Sequence, residues 1–135
     1  MDIAVVDDEI VICKHIHEMI KKQRQDCHVV CFSSGEELLA AAKPFDIIFL
    51  DIQMYGMNGI ETAKEVREKN ADTVLIFITG IKEYVFEALD LYVFHYLLKP
   101  VTEQKFMEVF EQALREAGLR KMRRKKQFFI NKYNR

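Results

Sequence analysis

The chain has 135 residues, half of them hydrophobic, with five glycines, two prolines and no repeat or low-complexity tract, which fits one domain with a substantial core. Its longest apolar runs, at 47–50, 74–78 and 91–94, fall far short of the roughly 20 residues that cross a bilayer, and Met1-Asp2-Ile3-Ala4 lacks the basic flank of a signal peptide. A cytoplasmic chain with no membrane partner is therefore expected.

Apolar strands alternate with amphipathic helices from one end to the other. Residues 3–6 read as a strand, and residues 9–22 place Ile12, Ile16, Met19 and Ile20 at helical spacing. His28–Phe32 reads as a second strand. Ser34-Gly35-Glu36-Glu37 fits a capping box, opening a helix through Leu38, Leu39 and Ala42. Ile47–Leu50 is a continuous apolar strand, followed by a glycine-bearing loop and a helix over Gly59–Lys69. Residues 74–78 form the fourth expected strand, 82–89 a helix and His95–Leu98 the fifth strand. Pro100 precedes a long helix with Phe106, Val109, Phe110, Ala113, Leu114 and Ala117 on one face. Five strands alternating with five helices predict an α/β, doubly wound parallel sheet covered on both faces, and the unbroken apolar run Ile47-Ile48-Phe49-Leu50 fits that burial.

The net charge of −1 conceals a split. Twenty of the 21 acidic residues precede Arg115, whereas 9 of the 20 basic residues lie from Arg115 onward, leaving a body of about −9 and a tail of about +8. That split marks the boundary between a domain over 1–117 and a basic segment over 118–135.

Three cysteines, Cys13, Cys27 and Cys31, form no Cys-x-x-Cys pair; Cys27 and Cys31 share a strand face too far apart to bridge, and all three read as small buried hydrophobes. His15 and His17 point to different sides of a helix and cannot act jointly. Tyr84, Phe86, Tyr92 and Phe94 read mostly as core packing, with part left for a partner surface.

Ligands of an open parallel sheet sit beyond the carboxyl ends of its strands. The apolar runs end in Asp7 and Asp8, in Asp51, in Thr79 and in Lys99, and right-handed crossovers bring these ends to one edge. Each alone could be a cap or a turn residue; five at one edge point to a site. Two carboxylates about 4 Å apart repel by roughly 4 kcal/mol at an effective dielectric near 20, so three of them need cations. Lys99 supplies one, and an all-oxygen site suits Mg²⁺. A carboxylate beside Mg²⁺ can attack a phosphoryl group, with lysine and threonine stabilising the added charge.

Asp7-Asp8, Asp51, Thr79-Gly80 and Tyr96-Leu97-Leu98-Lys99-Pro100, in this order, resemble the receiver domain of two-component response regulators over about residues 2–117. The resemblance implies strand order 2-1-3-4-5, Asp51 as phosphoacceptor, and Mg²⁺ held by Asp7, Asp8, Asp51 and the Gln53 carbonyl. It further implies Thr79 and Lys99 as phosphoryl-binding groups, Thr79 and Tyr96 as the switch pair, and a cis peptide to Pro100. Tyr55 stands where this family usually has proline.

The partners so implied are a sensor histidine kinase and a second copy, joined on phosphorylation through the face of the fourth helix, fifth strand and fifth helix. Within the family, residues 96–106 and the basic tail look most like regulators with a LytTR-type DNA-binding domain. On that reading 119–127 is a linker, Phe128-Phe129-Ile130 begins a strand of a following output domain, and DNA is contacted only through that domain. An aspartate-nucleophile phosphohydrolase would need a second aspartate two residues after the nucleophile; that position is Gln53, so no turnover enzyme is expected. A degenerate, binding-only receiver would need a broken acidic set, and this set is intact.

Overall fold

A computed structural model describes residues 1–134. Its elements run β1 (Asp2–Val6), α1 (Ile10–Gln23), β2 (His28–Phe32), α2 (Gly35–Ala40), β3 (Ile47–Leu50), α3 (Gly59–Lys69), β4 (Val74–Thr79), α4 (Val85–Asp90), β5 (His95–Leu98) and α5 (Glu103–Tyr133). The five strands are parallel in the order β2-β1-β3-β4-β5, the doubly wound arrangement expected.

Alternation within each strand divides the interior in two. On one face Ile3, Val5, Ile47, Phe49, Ile76 and Ile78 pack against α1 and α5. On the other, Ala4, Val6, Ile48, Leu50, Leu75 and Phe77 pack against α2, α3 and α4. β3 and β4 are buried at every residue, whereas β2, at the sheet edge, is only half-buried. The aromatic weight lies under α5, where Phe49, Phe106 and Phe110 are fully buried and pack with ring centroids 5.2 to 6.1 Å apart. Burying each such ring contributes about 2 to 3 kcal/mol.

Side-chain acceptors cap the starts of α2, α3 and α5. Asn58 and Glu61 form a complete capping box on α3, and Thr102 accepts from the Lys105 N–H on α5. At α2 only half the expected box forms: Ser34 accepts from the Glu37 N–H, but the Glu37 carboxylate turns to the Ser33 hydroxyl. α2 also stops short of Ala42, which takes a left-handed φ of 49°, and α4 begins three residues later than the sequence pattern predicts.

The largest departure is in the tail. α5 runs unbroken to Tyr133, so residues 119–127 are helical and Phe128-Phe129-Ile130 form no strand here. Beyond Gly118 this stretch holds no proline or glycine and is rich in lysine and arginine, both good helix formers. Ion pairs hold it to the body: Lys121 to Asp46 at 3.1 Å and Arg124 to Asp72 at 3.2 Å. Arg120 adds hydrogen bonds to the carbonyls of Asp72 and Thr73. The cysteine reading also needs correction. Cys13 and Cys27 are buried, but Cys31, on the edge strand, is exposed. Burial, with Cys31 alongside, pushes the Cys13 thiol up to about 12.

Candidate functional site

The register places Val6 opposite Leu50, Leu50 opposite Phe77, and Thr79 opposite Leu98, so the residues at these strand ends share one edge. Lys99 is the hub. Its ammonium lies 2.8 Å from Asp7 Oδ2 and 3.0 Å from Asp51 Oδ2. Both carboxylates are nearly dry, with Asp7 3% and Asp51 5% exposed. Their other oxygens are held by backbone amides: the Glu9 N–H donates to Asp7 Oδ1 at 2.9 Å, and the Gln53 N–H to Asp51 Oδ1 at 3.3 Å.

Asp8 is exposed and accepts from the Tyr55 N–H at 3.3 Å. One oxygen from each of Asp7, Asp8 and Asp51 lies within 4.8 Å of the others, a cluster of hard oxygen ligands that could hold a metal ion.

Burial pushes the Asp7 carboxyl above its ordinary value, and the bond and charge of Lys99 only partly oppose this. For Lys99 the balance falls the other way: burial alone would lower it, but Asp7 and Asp51 outweigh that and leave it raised. The ammonium therefore stays charged at neutral pH and offsets repulsion between two buried carboxylates that water no longer screens.

Thr79 is fully buried; its Oγ1 accepts from the Ile81 N–H at 3.4 Å and its carbonyl from the Lys99 N–H at 2.8 Å. The Tyr96 hydroxyl donates to the Ile81 carbonyl, and its ring packs 5.9 Å from that of Phe77. Burial raises the Tyr96 phenol as well. The structure thus gathers Asp7, Asp8, Asp51 and Lys99 into direct contact or close range, sets Gln53 against Asp51 through its amide, and links Thr79 to Tyr96 through Ile81. The peptide from Lys99 to Pro100 is cis.

The contacts of two residues at the site lay outside the sequence reading. Gly59 opens α3 so close to the phosphoacceptor candidate that a Cβ there would lie 2.1 Å from the Asp51 carbonyl oxygen and 2.7 Å from the Ile52 Cα. The glycine was visible in the loop after Asp51, but not its contact. Ile81 acts through its backbone alone, which leaves no side-chain signal.

The profile of the response regulator receiver domain matches residues 3–111. The chain belongs to this family. Among curated relatives, the receiver is 28% identical over 128 residues to the sensory transduction protein LytT of Oceanobacillus iheyensis, covering 92% of this chain and 52% of that protein. It is 32% identical over 120 residues to the positive alginate biosynthesis regulatory protein of Pseudomonas aeruginosa, covering 85% of this chain and 48% of the other. The receiver thus spans about half the length of these relatives. Among solved structures, the response regulatory domain of mrkE from Klebsiella pneumoniae superposes with a TM-score of 0.82 at 25% identity, covering 88% of this chain and 99% of that one. A BeF3-activated DrrB receiver domain superposes at 0.77 with 26% identity, covering 84% and 97%. Receivers of this family serve phosphorylation-dependent signalling. Among the described residues no helix is long and apolar enough to cross a membrane.

Proposed function

We propose that this receiver accepts a phosphoryl group on Asp51 from a sensor histidine kinase, with Mg²⁺ bound, and thereby switches a transcription-regulating output domain. The observation that carries the reading is the Lys99 ammonium bridging Asp7 and Asp51, with Asp8 open to solvent beside them. Asp7, Asp8, Asp51 and the Gln53 carbonyl are the groups to hold Mg²⁺, and three clustered carboxylates of which one is exposed fit an ion that keeps part of its water shell. When bound, the ion neutralises charge on the transferring phosphoryl group.

A carboxylate oxygen of Asp51 attacks phosphorus; the new O–P bond forms as the P–N bond to the kinase imidazole breaks, and the imidazole keeps the electron pair. Lys99, already at 3.0 Å from Asp51, offsets the added charge. The Thr79 hydroxyl, which now accepts from Ile81, has its own proton to give to a phosphoryl oxygen. Its motion would pass to Tyr96 through their shared neighbour Ile81. Gln53 cannot serve as a proton donor, so the receiver catalyses only its own phosphoryl transfer and dephosphorylation and is not a turnover enzyme. The likeness to LytT supports a LytTR-type output. Phe86 and Tyr92, each 79% exposed, and Leu89 at 62% give the α4-β5-α5 face the apolar area for pairing two phosphorylated copies.

The test is phosphorylation by a small phosphodonor with and without Mg²⁺, followed by mass. One phosphoryl group is expected, only with Mg²⁺. Equal labelling in chelator would overturn the metal assignment.

A further inference from the structure

Two of the three thiols sit against each other. Cys13, buried, lies in the first turn of α1; Cys31, exposed, lies on the edge strand β2. Their contact is reciprocal. Cys31 Sγ is 3.6 Å from the carbonyl oxygen of Cys13, and Cys13 Sγ is 3.8 Å from the carbonyl oxygen of Phe32, the residue after Cys31. With standard backbone dimensions, that contact puts Cys31 Sγ within about 6 Å of the Cys13 Cα. From this contact, side-chain rotation together with backbone shifts has to bring the two Cα atoms to the roughly 4.4 to 6.8 Å of a disulfide. Cys27 is no rival partner, because four residues of extended chain separate it from Cys31 by about 13 Å.

We propose that Cys13 and Cys31 are a modification site: a reversible intramolecular disulfide formed when the receiver meets a peroxide-class oxidant. Cys31 reacts first because it alone of the two faces solvent. Its sulfur attacks the peroxide O–O bond and becomes a sulfenic acid, while the displaced hydroxide takes the thiol proton and leaves as water. The sulfur of Cys13 then attacks the sulfenic sulfur; the S–S bond forms, the S–O bond breaks, and the Cys13 proton leaves with the hydroxide as a second water. Two thiols lose two electrons, and one peroxide becomes two waters. The bond ties the first turn of α1 to the sheet edge directly behind Asp7, whose carbonyl oxygen is 3.6 Å from Cys13 Sγ.

The experiment treats the full chain with hydrogen peroxide, blocks remaining thiols under denaturing conditions, and maps the products by mass. A monomer lighter by two hydrogens is expected, with the peptides of Cys13 and Cys31 linked and both released by dithiothreitol. Cys31→Ser, a change at an exposed position that leaves the core intact, abolishes the species, and Cys27→Ala retains it. Cys31 recovered as sulfinic acid beside a free Cys13 thiol, or in a bond between two chains, would overturn the proposal. None of these readouts involves phosphorylation, so they stand or fall apart from the role of Asp51.

Discussion

Replacing Lys99 with methionine removes the cation that bridges two nearly dry carboxylates. At an effective dielectric of 20, unit charges 2.8 and 3.0 Å apart attract by about 6 kcal/mol each, much of it offset by the cost of desolvating all three groups. Losing the ammonium leaves Asp7 and Asp51 facing each other without the Lys99 charge between them. The site can escape by taking up one proton, which costs about 4 kcal/mol at pH 7 for a carboxyl of ordinary pKa near 3.9. The expected loss is therefore about 3 to 4 kcal/mol, a large part of a domain's stability.

The pH dependence has a definite sign. A carboxyl whose folded pKa is raised binds its proton first in the folded state, so the variant's deficit shrinks as pH falls, by up to about 1.4 kcal/mol per unit. In the unaltered chain Asp7 leans the same way. The raised pKa of Lys99 means that its own contribution is complete below about pH 10.4 and is lost as pH rises through the folded value. Urea unfolding in metal-free buffer at pH 7 and pH 5 measures the variant's deficit and its shrinkage on acidification. A deficit under about 1 kcal/mol at pH 7, or one unchanged at pH 5, would refute the reasoning.

Gly59→Ala drives a methyl into the Asp51 carbonyl, so a stability loss of about 2 kcal/mol and slower phosphoryl acceptance are expected, read by urea unfolding and intact mass. Thr79→Ala keeps phosphoryl acceptance but removes the phosphorylation-dependent shift of Tyr96 resonances in NMR spectra; a full shift in the variant would contradict the switch. With beryllofluoride and Mg²⁺ the receiver is expected to dimerise in light scattering, and Phe86→Glu to remain monomeric; a monomer at high concentration with the mimic bound would favour relief of inhibition instead.

The sheet and its site were legible because parallel crossovers leave little choice. Once Ile47-Ile48-Phe49-Leu50 and its neighbours are strands, the polar residue ending each run must meet the others at one edge, and Asp7, Asp51, Thr79 and Lys99 do. The strand order came from the family resemblance, since alternation alone does not order strands. What stayed hidden was set by contacts between distant segments. An apolar triplet such as Phe128-Phe129-Ile130 suits strand or helix equally, and here the ion pairs from Lys121 and Arg124 to Asp46 and Asp72 accompany a helix. The exposure of Cys31 follows from β2 lying at the sheet edge, and the glycine requirement at position 59 from the path of a backbone folded against it.

The most direct test of the central claim is to phosphorylate the receiver with a small phosphodonor and Mg²⁺, trap the acyl phosphate by borohydride reduction, and locate the reduced residue by peptide mass. One site per chain at Asp51, absent from Asp51→Asn protein, is the predicted result. Label on another residue, or undiminished label in that variant, would contradict it.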